Sequence, residues 1–271
     1  MTILAPSDPE PVLLSTAVGQ IAITREGPLN GTALLCVHGI PGSRRDFRYL
    51  APYLRQTFQV VRLDMPGFGD SPLNAVDTIE GWALTVNAVA AALDLEHYLI
   101  LGHSFGGGAV LLTARKWPRN VSGIILLASM GHRMHRGYGG IPPTLYHLLY
   151  RLSTIPIIRW LIFLMLRQQY TKRGLRPPDA GEDRVIQRQL RLISSVDFAA
   201  LGDCAARISE LALIIHCDDD HLVERSITEE LAAIFPRSII KHFNSGGHHL
   251  QKTLAAEIGS IISTCFAPAL P

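Results

Sequence analysis

Gly102-His103-Ser104-Phe105-Gly106 sets a serine between glycines two residues to either side, the pattern of a nucleophile held on a sharp turn between a strand and a helix. Tyr98-Leu99-Ile100-Leu101 before it is apolar, and an Ala/Leu-rich helical pattern follows at once. Such a turn pushes the Ser104 hydroxyl out of the sheet and crowds positions 102 and 106, where only a residue without Cβ fits. A hydroxyl is a weak nucleophile and needs a base, an acid to orient that base, and donors for the oxyanion that forms. Each has a candidate on a loop after an apolar run. The base lies in Ser245-Gly246-Gly247-His248-His249, beyond Ile239-Ile240-Lys241-His242-Phe243, and both histidines are eligible. The acid lies in Asp218-Asp219-Asp220, beyond Leu213-Ile214-Ile215. From His97 through Pro178 there is no Asp or Glu, so the acid cannot follow the run Gly123 to Leu127. One oxyanion donor is the N–H of Phe105, where a helix dipole also favours negative charge. The other belongs to His38-Gly39-Ile40-Pro41-Gly42; proline has no N–H, so Ile40 is the better donor and Gly39 the second.

These residues need a frame. Val12 to Ser15 and Gln20 to Thr24 are β-type runs around Ala17-Val18-Gly19 and predict an opening hairpin. Ala33 to Val37, Val60 to Leu63, Tyr98 to Leu101, Gly123 to Leu127 and Leu211 to Ile215 are continuous apolar runs, as in strands covered on both faces. Helical patterns lie between them at Arg44 to Leu54, Thr78 to Leu93, Phe105 to Lys116, Val223 to Ile234 and Leu250 to Ile262. The alternation predicts an α/β fold, a mostly parallel sheet with helices on both faces. From Met130 to Glu210 it stops, leaving helical periodicities such as Leu145, Leu148, Leu149 and Leu152 punctuated by Pro142-Pro143, Pro156 and Pro177-Pro178. This predicts a core of 1–129 and 211–271 with a helical cap at 130–210, set over the Ser104 turn because loops leaving the carboxyl ends of parallel strands border the ligand crevice.

With 271 residues, 48% hydrophobic and 18% charged, the chain can bury a sizeable core. A net charge of +2 is too small to indicate nucleic acid as a partner. Cys36, Cys204, Cys217 and Cys265 have neither C-x-x-C spacing nor the density of a disulfide scaffold, and residues 1–10 carry no basic-then-apolar leader, so a cytoplasmic setting is expected. No apolar stretch reaches the ~18 residues of a spanning helix; Ile155 to Leu166 is shorter and contains Arg159. His38, His103 and His216 read as hydrogen-bonded structural histidines, and His132, His135, His147 and His221 lack zinc-pair spacing, so no metal is implied. Gly107 and Gly108 read as positions of close helix packing. Eleven Lys/Arg fall between His97 and Pro178, among them Arg133, Arg136, Arg151, Arg159, Arg167, Lys172, Arg173 and Arg176 in the cap. Beside a solvated basic face, this suggests attraction of an anionic amphiphile or membrane surface.

The sequence resembles the α/β-hydrolase family from about Val12 to the end, the cap excepted. His38-Gly39-Ile40-Pro41-Gly42 resembles its HG-x-P oxyanion loop, Asp64-Met65-Pro66-Gly67-Phe68-Gly69-Asp70-Ser71 its D-x-P-G-x-G-x-S turn, and Gly102 to Gly106 its nucleophile elbow. The resemblance implies the α/β-hydrolase fold, Ser104 as nucleophile and His248 as base, because the family sets its histidine directly after a glycine. The family pattern G-x-x-D selects Asp220 as the acid, with Cys217 standing where the glycine would be and Asp218 as the rival. The implied activity is that of a cofactor-independent serine hydrolase acting on carboxylic esters of small hydrophobic molecules through an acyl-enzyme. The family's other chemistries (C–C bond, lactone, thioester, amide and perhydrolase) and a slow-turnover small-molecule receptor on the same fold are the alternatives. Epoxide and haloalkane hydrolysis are disfavoured, since those enzymes resemble this framework with an aspartate where Ser104 stands.

Overall fold

Eight strands form one sheet in a computed structural model that describes residues 4–74, 76–172 and 183–267. Strands β1 (Val12–Thr16) and β2 (Gly19–Glu26) make the opening hairpin, turned at Gly19 with φ of +110°. Then come β3 (Ala33–Val37), β4 (Gln59–Leu63), β5 (Tyr98–His103), β6 (Val121–Leu127), β7 (Ala212–Cys217) and β8 (Ser238–Phe243). The order across the sheet is β1-β2-β4-β3-β5-β6-β7-β8, with β1 and β2 antiparallel and every pair from β4 to β8 parallel.

Strand periodicity explains why the central runs are apolar throughout. Successive side chains point to opposite faces, so Ala33, Leu35 and Val37 of β3 join one core layer while Leu34 and Cys36 join the other. In β5, Ile100 goes with the first layer and Leu99 and Leu101 with the second; β6 and β7 alternate alike. Helices cover both layers: α1 (Ala51–Leu54), α2 (Ile79–Ala92) and α3 (Gly106–Lys116) follow β3, β4 and β5. The Thr78 hydroxyl caps α2 by accepting the Gly81 N–H.

Two helices expected as single segments are split. At 44–54 a 3-10 turn, Arg44–Phe47, precedes α1, because Pro52 has no N–H to carry an α-helical ladder back to residue 48. At 250–262 the chain forms a short helix, Leu250–Thr253, and a longer one, Ala255–Phe266, around Leu254, whose φ of −121° and ψ of 32° are non-helical and whose side chain packs on the second core layer.

Between β6 and β7, α4 (Pro143–Leu152) and α5 (Pro156–Lys172) each begin on a proline, which loses nothing at a helix start, and α6 (Asp183–Ser194) and α7 (Phe198–Ala206) follow. Tyr146, Ile162, Phe163, Ile186 and Leu190 of α4, α5 and α6 close with Tyr138 into a third cluster apart from the two sheet layers. Leu201 and Ala205 of α7 instead belong to the first layer. Arg188 of α6 donates to the Gly67 carbonyl and lies 5.5 Å over the Phe68 ring, tying the helical segment to the loop after β4. The expected cap residues Arg173 and Arg176 and the Pro177-Pro178 pair lie outside the described residues. Helix α8 (Arg225–Ile234) joins β7 to β8, and the pair after β8 is numbered α9 (Leu250–Thr253) and α10 (Ala255–Phe266). Among the described residues no helix is long and apolar enough to cross a membrane.

Candidate active site

The six parallel strands deliver their following loops to one edge of the sheet. At the end of β5, Ser104 takes φ of +53°, a left-handed conformation that costs a non-glycine residue of order 1–3 kcal/mol. Its N–H donates to the Leu127 carbonyl (3.0 Å), and its carbonyl accepts from Gly107 and Met130 (3.1 Å each), so both neighbouring segments hold the strained residue. A Cβ on Gly102 would stand 2.8 Å from the Gly106 oxygen, and one on Gly106 2.5 Å from the carbonyl oxygens of Val37 and His38. The flanking glycines are therefore required by close backbone approach. The loop after β3 reaches the same point: a Cβ on Gly39 would lie 2.9 Å from the Ser104 Cβ.

Ser104 Oγ lies 2.9 Å from His248 Nε2, and His248 Nδ1 lies 2.8 Å from Asp220 Oδ2. The other Asp220 oxygen accepts from the N–H groups of Leu222 (2.8 Å) and Val223 (3.0 Å). Burial works to raise the Asp220 pKa, yet the His248 hydrogen bond and charge and the two backbone donors outweigh it, leaving the carboxyl below its ordinary value. An ionised Asp220 takes the Nδ1 proton as a hydrogen bond, which fixes Nε2 as the acceptor facing the Ser104 hydroxyl. The three groups thus form one directed chain, with Asp220 only 2% exposed.

The neighbouring aspartates do other things. Asp219 accepts from Gly247 N (2.7 Å) and Gly246 N (3.2 Å), pinning the turn that presents His248; the Gly247 bond is the main cause of its lowered pKa. Asp218 faces Arg225 at 3.3 Å. His249 ends up 5.6 Å, ring to ring, from His103 and stands at the N-cap of the short helix Leu250–Thr253. His103 donates through Nε2 to the His248 carbonyl at 2.9 Å, and burial, reinforced by the charges of His248 and His249, holds its pKa well below the ordinary histidine value. It braces the loop as a neutral ring. His216 is fully buried, and neither ring nitrogen has a hydrogen-bond partner among the described residues, unlike the bonded role expected of it.

Ile40 and Phe105 flank Ser104 on the loop after β3 and at the start of α3. Neither N–H donates to a protein acceptor among the described residues. The loop carrying Ile40 is braced through His38, whose Nε2 accepts from Met65 N (3.0 Å) and whose Nδ1 donates to the Gly39 carbonyl (2.6 Å). Met65 sits in turn on an ionic brace. Asp64 accepts from the Arg44 N–H (2.6 Å), from Arg44 Nη1 (2.5 Å) and from Asp70 N (2.9 Å), while the same Nη1 reaches Asp70 Oδ2 at 2.6 Å. Gly69 is glycine because a Cβ there would meet the Asp64 carboxyl at 2.3 Å. The turn at 64–71 is thus a support for the loop beside Ser104.

Sequence reasoning missed Arg44, Asp219 and Arg188. Arg44 reads as one of two adjacent arginines opening a helical pattern, and Asp219 as the unassigned middle of an aspartate run. Arg188 is separated from Gly67 by 121 residues. Only for Asp219 did a signal exist, in its place opposite a Gly-Gly turn on the adjacent strand's loop. Among the described residues no group of three or more His, Cys, Asp or Glu could hold a metal ion.

The model of the alpha/beta hydrolase family matches residues 34–257. An uncharacterized hydrolase of Bacillus subtilis (strain 168), YugF, is 26% identical over 226 residues, covering 79% of this chain and 82% of the relative. The 2-hydroxymuconate semialdehyde hydrolase of Pseudomonas sp. (strain CF600) is 27% identical over 250 residues, covering 88% of each. Among solved structures, a thermophilic esterase from Thermogutta terrifontis superposes with a TM-score of 0.68 at 19% identity, covering 95% of this chain and 98% of that one. That likeness concerns the fold.

Proposed function

Since the chain belongs to the alpha/beta hydrolase family, we propose that it is a serine hydrolase of carboxylic esters with a hydrophobic acyl or alcohol part, working without a cofactor. The observation that carries this reading is the continuous hydrogen-bond chain from Ser104 Oγ through His248 to Asp220, at 2.9 and 2.8 Å. Ser104 Oγ attacks the ester carbonyl as its proton passes to His248 Nε2. Asp220 holds the imidazole in the required tautomer and stabilises the imidazolium. The negative charge of the tetrahedral intermediate falls to the N–H groups of Phe105 and Ile40, which have no protein acceptor to give up among the described residues. Collapse expels the alcohol, protonated by His248, and a water activated by the same ring then cleaves the acyl-enzyme. In this reading the helices α4, α5 and α6 are the cap over the site, and what supports it is the tie of Arg188 in α6 to Gly67 in the turn after β4.

The test is hydrolysis of a p-nitrophenyl ester series by purified protein and by Ser104→Ala. Turnover by the parent with stoichiometric fluorophosphonate labelling, both lost in Ser104→Ala, is the expected result. Full activity in Ser104→Ala would sink the mechanism, and a single burst without further turnover would assign a receptor role. A second reading, cleavage of a carbon–carbon bond, is favoured by the 27% identity to 2-hydroxymuconate semialdehyde hydrolase across 88% of both chains. It gains over the ester reading if that semialdehyde is consumed while the ester series is not.

A further inference from the structure

Helix α5 is apolar on two opposite sides. Ile162 and Phe163 are buried in the cluster it shares with α4 and α6, and Ile158 and Leu166 lean on that cluster. On the other side Ile157, Trp160, Leu161, Leu164 and Met165 follow the i, i+3, i+4, i+7, i+8 spacing of one helical face, with exposures from 42% to 65%. Helix α4, packed against α5, adds an outward row of its own at Leu145, Leu148 and Leu152, and exposed Ile155 joins the two helices. A helix closing the surface of a monomer presents polar residues outward, and monomers rarely expose contiguous apolar patches beyond about 300–600 Å². This face requires an occupant.

Charge selects which one. Exposed Arg151 and half-buried Arg167 lie on the same two helices, and the sequence carries no acidic residue between His97 and Pro178. A second copy of the chain docked about a two-fold axis would bring these arginines toward their own copies, opposing like charges beside an apolar seam. A bilayer with anionic headgroups satisfies both features, taking the apolar row into the acyl boundary and the guanidinium groups at headgroup level. Trp160 is placed for that boundary, where its amphipathic ring is favoured. With 17 residues and interspersed arginines, α5 suits lying on the surface and does not meet the requirements of a span.

We infer that the outward face of α4 and α5 docks the protein on anionic lipid bilayers. The inference does not depend on the hydrolytic reading, and Ser104→Ala should dock as well as the parent. The test is co-sedimentation of the full chain with phosphatidylcholine vesicles and with mixed phosphatidylcholine–phosphatidylglycerol vesicles at low and high salt. Binding should favour the mixed vesicles, weaken with salt, and bring quenching of Trp160 by brominated lipid that Trp160→Phe removes. Ile157→Ser with Leu161→Ser should lower the partition coefficient at least tenfold, since each buries a large apolar side chain on docking. Arg151→Gln with Arg167→Gln should lower preference for the mixed vesicles by roughly fivefold per arginine while leaving hydrolysis of a soluble short-chain ester unchanged. The arginine pair is the independent check should the serine pair melt early. Equal binding to neutral vesicles, or no quenching of Trp160, would overturn the inference. A dimer by light scattering with Trp160 shielded from iodide would overturn it too, giving the face to a second copy.

Discussion

Asp220→Asn is nearly isosteric, and the hydrogen bonds around it fix what it does. Asp220 accepts three N–H groups: His248 Nδ1 on one oxygen, Leu222 and Val223 on the other. An asparagine has a single oxygen to offer. Turned toward His248, it sets its NH2 against two buried backbone donors, at about 1–3 kcal/mol for each group left unpaired. Turned the other way it keeps both backbone bonds and presents NH2 to His248 Nδ1. The second arrangement wins, and the imidazole must then accept at Nδ1 and carry its proton on Nε2, against Ser104 Oγ. In that tautomer the ring cannot take the serine proton, and the carboxylate that balanced the imidazolium is gone. The expected fall in kcat is on the order of 10⁴, or about 5.5 kcal/mol in barrier, as for the same change in other Ser-His-Asp triads. KM should change little, because Asp220 does not reach the ester. The assay is kcat on a p-nitrophenyl ester, with circular dichroism to establish folding and Asp218→Asn as the control, which should cost less than about threefold since that carboxylate pairs with exposed Arg225. An Asp220→Asn enzyme within tenfold of the parent, or an Asp218→Asn enzyme that is nearly dead, would refute the reasoning. Stability offers a second readout. The folded pKa of Asp220 lies below its unfolded value of about 3.9, so its contribution is complete above that value and disappears as pH falls through the folded pKa. In Asp220→Asn the acid limb of the melting-temperature profile should accordingly be flatter.

Asp219→Ala should lower kcat by about tenfold with KM nearly constant, because the Gly246-Gly247 turn loses both acceptors and His248 is less well held; Asp219→Asn, keeping one acceptor, should recover part of the loss, and equal kinetics for all three proteins would remove the positioning role. Arg44→Met leaves Asp64 buried without its cation, at a cost of about 3–5 kcal/mol in urea unfolding, whereas a midpoint near the parent's would show the brace to be dispensable.

Most of the sheet was legible because burial on both faces writes itself as unbroken apolar runs, as in Ala33–Val37 and Leu211 to Ile215. The elbow was legible because its glycines are demanded by backbone contacts a few residues away in sequence, Gly102 against Gly106 and Gly107. What could not be read depends on contacts between distant segments. Asp64, Asp70 and Arg44 form one ionic brace although nothing in a local window links Arg44 to residues 20 and 26 positions on. The split of residues 44–54 depends on a single missing N–H at Pro52, which a hydrophobic periodicity does not register. The apolar outward side of α5 escaped for a related reason. A helix apolar on two opposite sides gives weak periodic contrast, and a tryptophan within it is indistinguishable in sequence from a core residue, whereas Trp160 is 52% exposed.

The aspartate run after β7 has a consequence for relating this chain to others. Adjacent residues at a strand end point in different directions, so Asp218, Asp219 and Asp220 face a surface arginine, a glycine turn and an imidazole in that order. An alignment that slips by one column here still pairs aspartate with aspartate and loses almost no score, yet it exchanges every job. At identities near 26–27% such a slip is easily made. Correspondence at this loop is better anchored on strand register, where His216 stands beside His242 and Cys217 beside Phe243, and counted outward from there to the carboxylate that meets the ring.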